Sequence, residues 1–427
     1  MRRRSVALVA ALATAAALLS ACGGGSGKDT LVWYINPDPE PPAGFQGPFG
    51  QAGIAARCST DQYTITTQKL PGDASQQRIQ LARRLEASDT GIDLMSLDPA
   101  FTGEFANAGI LLDIPADEAK ELTKGTLDGA VKAASYDGKL AAAPLWANTQ
   151  LLWYRKSFAT KAGLDMSKPV TWNQVIEAAS KNDGTVGVQA NKYEGYVVWI
   201  NALIEGAGGD IVSNTTAGND ATIDIDSPAG KKAAAVIHKL AHSKAAEPDL
   251  SVSNEGTVLG PFATDQGAFQ VNWTFIYANY KEDKKTFNDL GWARYPQTVA
   301  GTPSKPPLGG INIGVNDATT HPQEARDAIR CITSKQEQVR YAIETGNMPA
   351  KAAAYDDPKL RKAYPADLLK LFRSSIDTAG PRPVSPYWSD ISSAVQSRWH
   401  PASAVDEGTP ADSASFIDEV LHGKALL

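Results

Sequence analysis

Histidine and cysteine are scarce in this chain of 427 residues: there are five histidines (His238, His242, His321, His400 and His422) and three cysteines, with no CxxC and no HExxH. Zinc and dithiol redox chemistry therefore lose most of their support, and neither a metal nor a cofactor is expected. Positive charge is not in excess either, since 41 Lys and Arg stand against 47 Asp and Glu, a formal net charge of -6. Leaving out residues 1–21, which hold Arg2, Arg3 and Arg4 and no acid, the balance is 38 against 47, or -9. Phosphate recognition needs clustered cations and none is visible, so nucleic acid is not an expected partner. The chain has no GxSxG and no phosphate loop of the GxxxxGKS or GxxxxGKT kind, which removes the local signals of serine hydrolases and nucleotide binders. It has no repeat of 20 to 50 residues. What remains is ordinary globular composition, 43% apolar and 21% charged, with length for two or three domains; whole-chain disorder is excluded.

The amino terminus is distinctive. Arg2-Arg3-Arg4 precedes an apolar run from Val6 to Leu19, and small residues then lead to Cys22. That order is an export signal over residues 1–21, and its apolar run falls short of the roughly 20 residues that span a bilayer. Leu19-Ser20-Ala21-Cys22 resembles the bacterial lipobox, which implies that Cys22 becomes an acylated N-terminus. Residues 22–29, with Gly23-Gly24-Gly25-Ser26-Gly27, read as a flexible tether. The expected mature protein is an extracytoplasmic body held at the cell membrane by lipid on Cys22. Cys58 and Cys331 remain in that body, and an oxidising compartment permits them to pair; two buried thiols are the alternative.

From Thr30 onward, extended and helical patterns alternate. Leu31–Ile35, Tyr63–Thr67 and Ile92–Leu97 read as strands, separated by a helix ending near Cys58 and another over 75–87. The second helix has Ile79, Leu81, Ala82 and Leu85 at helical spacing, with Asp73 and Gln76 placed for a capping box. Such βαβαβ units build a mostly parallel sheet and place ligands beyond the carboxyl ends of the strands. Those ends are polar: Asn36, Asp38 and Glu40, then Asp73, Ser75, Gln76 and Gln77, then Asp98. Turns and caps favour these residue types anyway, yet three polar strand ends without a glycine-rich phosphate loop suit an uncharged polyhydroxy ligand. A second set follows Ala141–Pro144, with an extended Leu151–Tyr154, a helix opened by Thr171-Trp172-Asn173-Gln174, a helix over Val197–Ile204 and a strand Ala268–Asn272 ending at Trp273. The chain is expected to cross between lobes near 144–148 and to return over 296–310, ahead of a strand Ile311–Val315 and a helix over 323–343. From about 362 it reads as mostly helical, interrupted at Pro381-Arg382-Pro383.

This order, together with Ala143–Tyr154, Thr171-Trp172, Gly309-Gly310-Ile311-Asn312 and Arg382-Pro383-Val384-Ser385-Pro386-Tyr387, resembles the solute-binding lipoproteins of bacterial sugar ABC importers, family 1 of the extracellular solute-binding proteins. The likeness covers essentially the whole mature chain. Within the family it is strongest toward mycobacterial trehalose-binding lipoproteins, through Gln77–Leu85, Glu104-Phe105-Ala106, Asn148–Arg155, Gln189-Ala190-Asn191, Glu194-Gly195 and Val271-Asn272-Trp273. The resemblance implies a periplasmic-binding-protein-like α/β fold of type II, two lobes each with a mostly parallel sheet flanked by helices. Lobe 1 would take residues 30–146 and 306–360, lobe 2 residues 147–305 and 361–427. It implies a monomer that closes on a disaccharide and presents it to membrane-spanning permease subunits, and a disulfide between Cys58 and Cys331. The implied sugar contacts are Asp98, Asn148, Glu194, Trp273, Gly310 and Arg382, with Asn36, Gln76 and Gln77 nearby. The chain departs from the family pattern at the proline-rich stretch Pro37–Pro42 and at Ser75-Gln76, where the relatives carry an Asn-Glu pair.

The residue types fit that chemistry on their own terms. Sugar hydroxyls donate and accept and the ring has an apolar face, so carboxylates, amides, an arginine fork and an indole together form a suitable site. Two rival classes use the same residues. A surface glycoside hydrolase could employ Asp98 and Glu194 as its paired carboxylates, and a surface scaffold would need no small ligand. Trp273 as a core tryptophan and Arg382 as a structural partner of a carboxylate are the bland alternatives for those two side chains.

Overall fold

A computed structural model describes residues 28–427; the export signal, Cys22 and the glycine run 23–27 lie outside the described residues. Nine strands form a single hydrogen-bonded sheet. In chain order they are β1 (Asp29–Ile35), β2 (Tyr63–Lys69), β3 (Leu94–Leu97), β4 (Ala143–Arg155), β5 (Thr185–Gly187), β6 (Gly267–Trp273), β7 (Leu290–Ala293), β8 (Pro307–Val315) and β9 (Gly380–Pro381). The order across the sheet is β2-β1-β3-β8-β4-β6-β5, with β7 on β4 and β9 on β8. The helices that carry the argument are α1 (Gly50–Cys58), α2 (Ala74–Glu86), α3 (Pro99–Asn107), α4 (Trp172–Lys181), α5 (Glu194–Gly206), α6 (Pro228–Ala241), α7 (Pro322–Ile332), α8 (Lys335–Thr345), α9 (Ala366–Asp377), α10 (Trp388–Trp399) and α11 (Thr409–Leu421).

Strand β4 organises the two lobes. Its first half, Ala143 to Thr149, pairs with β8, and from Gln150 on it pairs with β6 and β7. The expected crossings at 144–148 and, from Pro307, at the end of 296–310 are thus made within strands. Apart from Asn148 both stretches carry apolar or small residues, which suits strands covered on both faces. The two-lobe α/β arrangement read from the sequence is the one adopted, but its sheet is mixed. β1 runs parallel to β2 and β3, and β6 to β5, whereas β8 is antiparallel to β3 and β4, and β4 to β6 and β7. Long strands that pass between lobes have no crossover helix to return them in the same direction, so they pair antiparallel.

Alternation explains how β1 is covered. Leu31, Trp33 and Ile35 pack with Ile54 and Cys58 of α1 and with Ala328, Ile329 and Ile332 of α7, while Tyr34 joins Leu81, Leu85, Phe101 and Phe105 on the opposite face. Cys58 and Cys331 are disulfide-bonded across α1 and α7, with Cα atoms 5.7 Å apart. The helix expected over 323–343 is two helices, because Ser334 caps α8 by accepting from the Glu337 N–H and ends α7 one turn earlier. Thr171 and Gln174 complete the capping box of α4, whereas at α2 only one half forms: Asp73 accepts from the Gln76 N–H.

Candidate ligand cleft

The cleft lies where β4 changes partner. Asn148 is paired with Gly309 and Ala147 with Gly310 on one side, and Gln150 with Trp273 on the other, so the two long strands and the end of β6 converge on a single point. Around it opens a cavity of about 380 Å³. Of the nine residues expected at the ligand, eight line it: Asn36, Gln77, Asp98, Asn148, Glu194, Trp273, Gly310 and Arg382. Gln76 does not. It is exposed on α2, where successive residues turn by about 100°, so that Gln77 faces the cleft and Gln76 does not.

Each side chain is held from its own element. Asp98 follows β3 and caps α3, accepting from the Ala100 N–H at 2.9 Å. Glu194 opens α5, a helix buried on nearly every face. Arg382 follows β9 and is 5% exposed; its guanidinium donates to Asp98 Oδ1 and to Glu194 Oε1, both at 2.7 Å. Trp388 Nε1 donates to the same Glu194 oxygen at 2.9 Å, and the Ser392 hydroxyl donates to the other. Burial pushes the Glu194 carboxyl up, against the pull of Arg382. Burial would lower the Arg382 guanidinium, but the two carboxylates outweigh it and hold its pKa above the usual value. Arg382 is therefore the structural partner of two carboxylates and a cleft residue at once.

Asn148 is held in one orientation. Its Nδ2 donates to Asn347 at 3.0 Å and its Oδ1 accepts from the Thr149 N–H and the Thr274 hydroxyl, which leaves one N–H for the cavity. Asn36 differs, because its Oδ1 is buried at the cleft without a partner. Trp273 is partly exposed, not a sealed core tryptophan. Its indole lies over Gly309, where a Cβ would come within 2.7 Å of the ring. Gly310 has φ 141°, and a Cβ there would meet the Trp146 carbonyl at 2.2 Å, so only glycine fits.

The cleft also holds residues outside the nine expected contacts. Glu255 accepts from the Tyr193 hydroxyl at 2.7 Å, and burial pushes its carboxyl up. Asp38 accepts from the Tyr341 hydroxyl and the Gln51 N–H, each at 2.6 Å, and burial raises it too. Gln51 in turn accepts from the Ser96 hydroxyl, which accepts from Trp33 Nε1, so the polar end of β1 is tied to the apolar packing of β1 against α1 and α7. Asp38 was visible as a polar strand end between prolines. Glu255, in a loop with no periodic neighbours, carried no signal.

Several known proteins are similar. A probable ABC transporter-binding protein of Deinococcus radiodurans is 26% identical over 317 residues, covering 71% of this chain and 72% of that protein. Among solved structures, maltose-bound MalE3 of T. maritima superposes with a TM-score of 0.79 at 23% identity, over 93% of this chain and 100% of that one. UgpB of Mycobacterium tuberculosis, in complex with glycerophosphocholine, gives 0.73 at 19% identity over 94% and 100%. These likenesses establish the two-lobe fold. The family model for bacterial extracellular solute-binding proteins matches residues 37–339, a span that runs from the residues ahead of α1 into α8, and the chain belongs to that family.

Proposed function

We propose that this protein captures a neutral disaccharide, trehalose or a related α-glucoside, outside the cytoplasm and hands it to the membrane-spanning subunits of an ABC importer. It would do so as a monomer anchored through Cys22, with lobes 30–146 plus 306–360 and 147–305 plus 361–427 closing on the sugar. The observation that carries this reading is the charge of the cleft. Among the described residues Arg382 is its one lining cation and is engaged by Asp98 and Glu194, while Asp38 and Glu255 add two more acids. A phosphate or carboxylate ligand would find no uncommitted positive charge, whereas hydroxyl groups find acceptors, the free Asn148 N–H and the unpartnered Asn36 oxygen. The Trp273 indole supports an apolar sugar face. The cavity volume falls within the range usual for small-molecule sites. The departure at Ser75-Gln76 lies off the lining, so it removes no cleft contact.

The same geometry supports binding without catalysis. Asp98 and Glu194 share one guanidinium, and Glu194 also holds Trp388 and Ser392, so neither is free to act as acid and base in turn. Calorimetry with trehalose, maltose and glycerol 3-phosphate, with chromatography of the incubated sugars, tests the proposal. A disaccharide should bind and be recovered intact while the phosphate ester gives no saturable heat. Preferred binding of the ester would overturn the sugar reading. Release of glucose by the wild type, lost in Asp98→Ala, would make the protein a hydrolase.

A further inference from the structure

Two of the five histidines stand one helical turn apart at the end of α6, His238 in its last turn and His242 at its C-cap. Both are exposed. Their ring centroids are 4.2 Å apart with planes inclined by 40°. Each ring is tied on one side to the turn at 402–405: His238 Nδ1 lies 2.8 Å from the Val405 carbonyl oxygen and His242 Nε2 lies 3.0 Å from that of Ser403. A carbonyl oxygen only accepts, so these two nitrogens carry the N–H. The lone pair of each neutral ring then falls on the other nitrogen, Nε2 of His238 and Nδ1 of His242.

We propose that His238 and His242 form a two-imidazole site for a late first-row divalent cation such as Zn²⁺, Ni²⁺ or Cu²⁺. Spacing of four residues puts both rings on one helix face. Imidazole nitrogen suits these metals, where Ca²⁺ and Mg²⁺ take oxygen. Ligating histidines characteristically donate their other N–H to a carbonyl or carboxylate, which fixes tautomer and ring orientation; here both rings already have that outer bond. Among the described residues no group of three or more His, Cys, Asp or Glu gathers to hold a metal, so solvent completes the coordination shell and the site is an open chelate. Because both rings are bonded to the turn between α10 and α11, a metal there braces the end of α6 against the carboxyl-terminal segment.

Titration of the untagged, EDTA-treated mature chain with ZnCl₂ tests this without any sugar, so its outcome is separate from that of the transport reading. One Zn²⁺ per chain is expected, with a rise in thermal midpoint, and the affinity should fall at least tenfold in both His238→Gln and His242→Gln. Nitrogen-15 imidazole spectra of the wild type should show zinc moving Nε2 of His238 and Nδ1 of His242, a readout that does not depend on how the variants fold. Absence of saturable zinc binding, unchanged affinity in either variant, or shifts confined to His321, His400 or His422 would overturn the proposal.

Discussion

Arg382 illustrates how one side chain serves both stability and recognition. Removing one partner of a buried ionic group leaves the other charge uncompensated, at a cost of about 3–5 kcal/mol. Arg382→Ala should therefore lower the thermal midpoint as well as abolish sugar binding, and pairing it with Glu194→Gln should recover part of the stability and none of the binding. Asp98→Ala removes an exposed-edge acceptor of the same group. A hydrogen bond to a charged group contributes about 1.5–3 kcal/mol, so sugar affinity should fall by roughly tenfold to over a hundredfold in calorimetry. Outside the cleft lining, Glu247 is 3% exposed, its Oε1 has no partner, and burial pushes its pKa up to about 8. A carboxyl neutral in the fold but ionised when unfolded favours the unfolded chain as pH rises. The penalty is absent below about pH 4.5, grows up to about pH 8 and is constant above. At about 1.4 kcal/mol per pKa unit its ceiling is roughly 5 kcal/mol. Glu247→Gln should raise the thermal midpoint at pH 8.5 and leave it unchanged at pH 4.5; parallel curves for the two proteins would refute the assignment. Asp98, Glu194, Trp273 and Arg382 were named from the sequence, and all four line one cleft. Their mutual bonds were not, because Arg382 is separated by 284 and 188 residues from its two partners.

Elements were legible where local chemistry determines them and misread where a cap decided between two outcomes. The α4 box formed as written, since Thr171 and Gln174 satisfy each other within one turn. The break between α7 and α8 falls where no apolar residue stands between Ile332 and Val339, and the Ser334 cap separates the two. The bond between Cys58 and Cys331 joins α1 to α7 across a separation of 273 residues. Its removal in Cys58→Ser/Cys331→Ser should cost about 2–5 kcal/mol, read as an earlier midpoint in denaturant. Gly310 belongs to the same scale. With φ 141° and a carbonyl in the place of a Cβ, Gly310→Ala should strain the pairing of β8 with β4 by at least about 1–3 kcal/mol and weaken sugar binding with it. The His238-x-x-x-His242 spacing was likewise present in the chain, but the bonds that set both tautomers exist only in the folded protein.

At the scale of the whole molecule, β4 and β8 connect the two halves of the sheet through the cleft floor, and closure has to bend or twist them there. Small-angle scattering with saturating disaccharide should show a smaller radius of gyration than the ligand-free protein, and an unchanged radius at saturation would remove the clamp mechanism. Residue order alone determined the alternation of strands and helices and the polar strand ends, because periodicity and turn chemistry are local, and its motifs carried the resemblance to the family. Only the tertiary structure decided that 144–148 is strand, that the sheet is mixed, that Gln77 and not Gln76 lines the cleft, and that Glu255 joins it. Each of those depends on which distant segment supplies the neighbouring strand or the facing donor, and no local preference of the chain contains that choice.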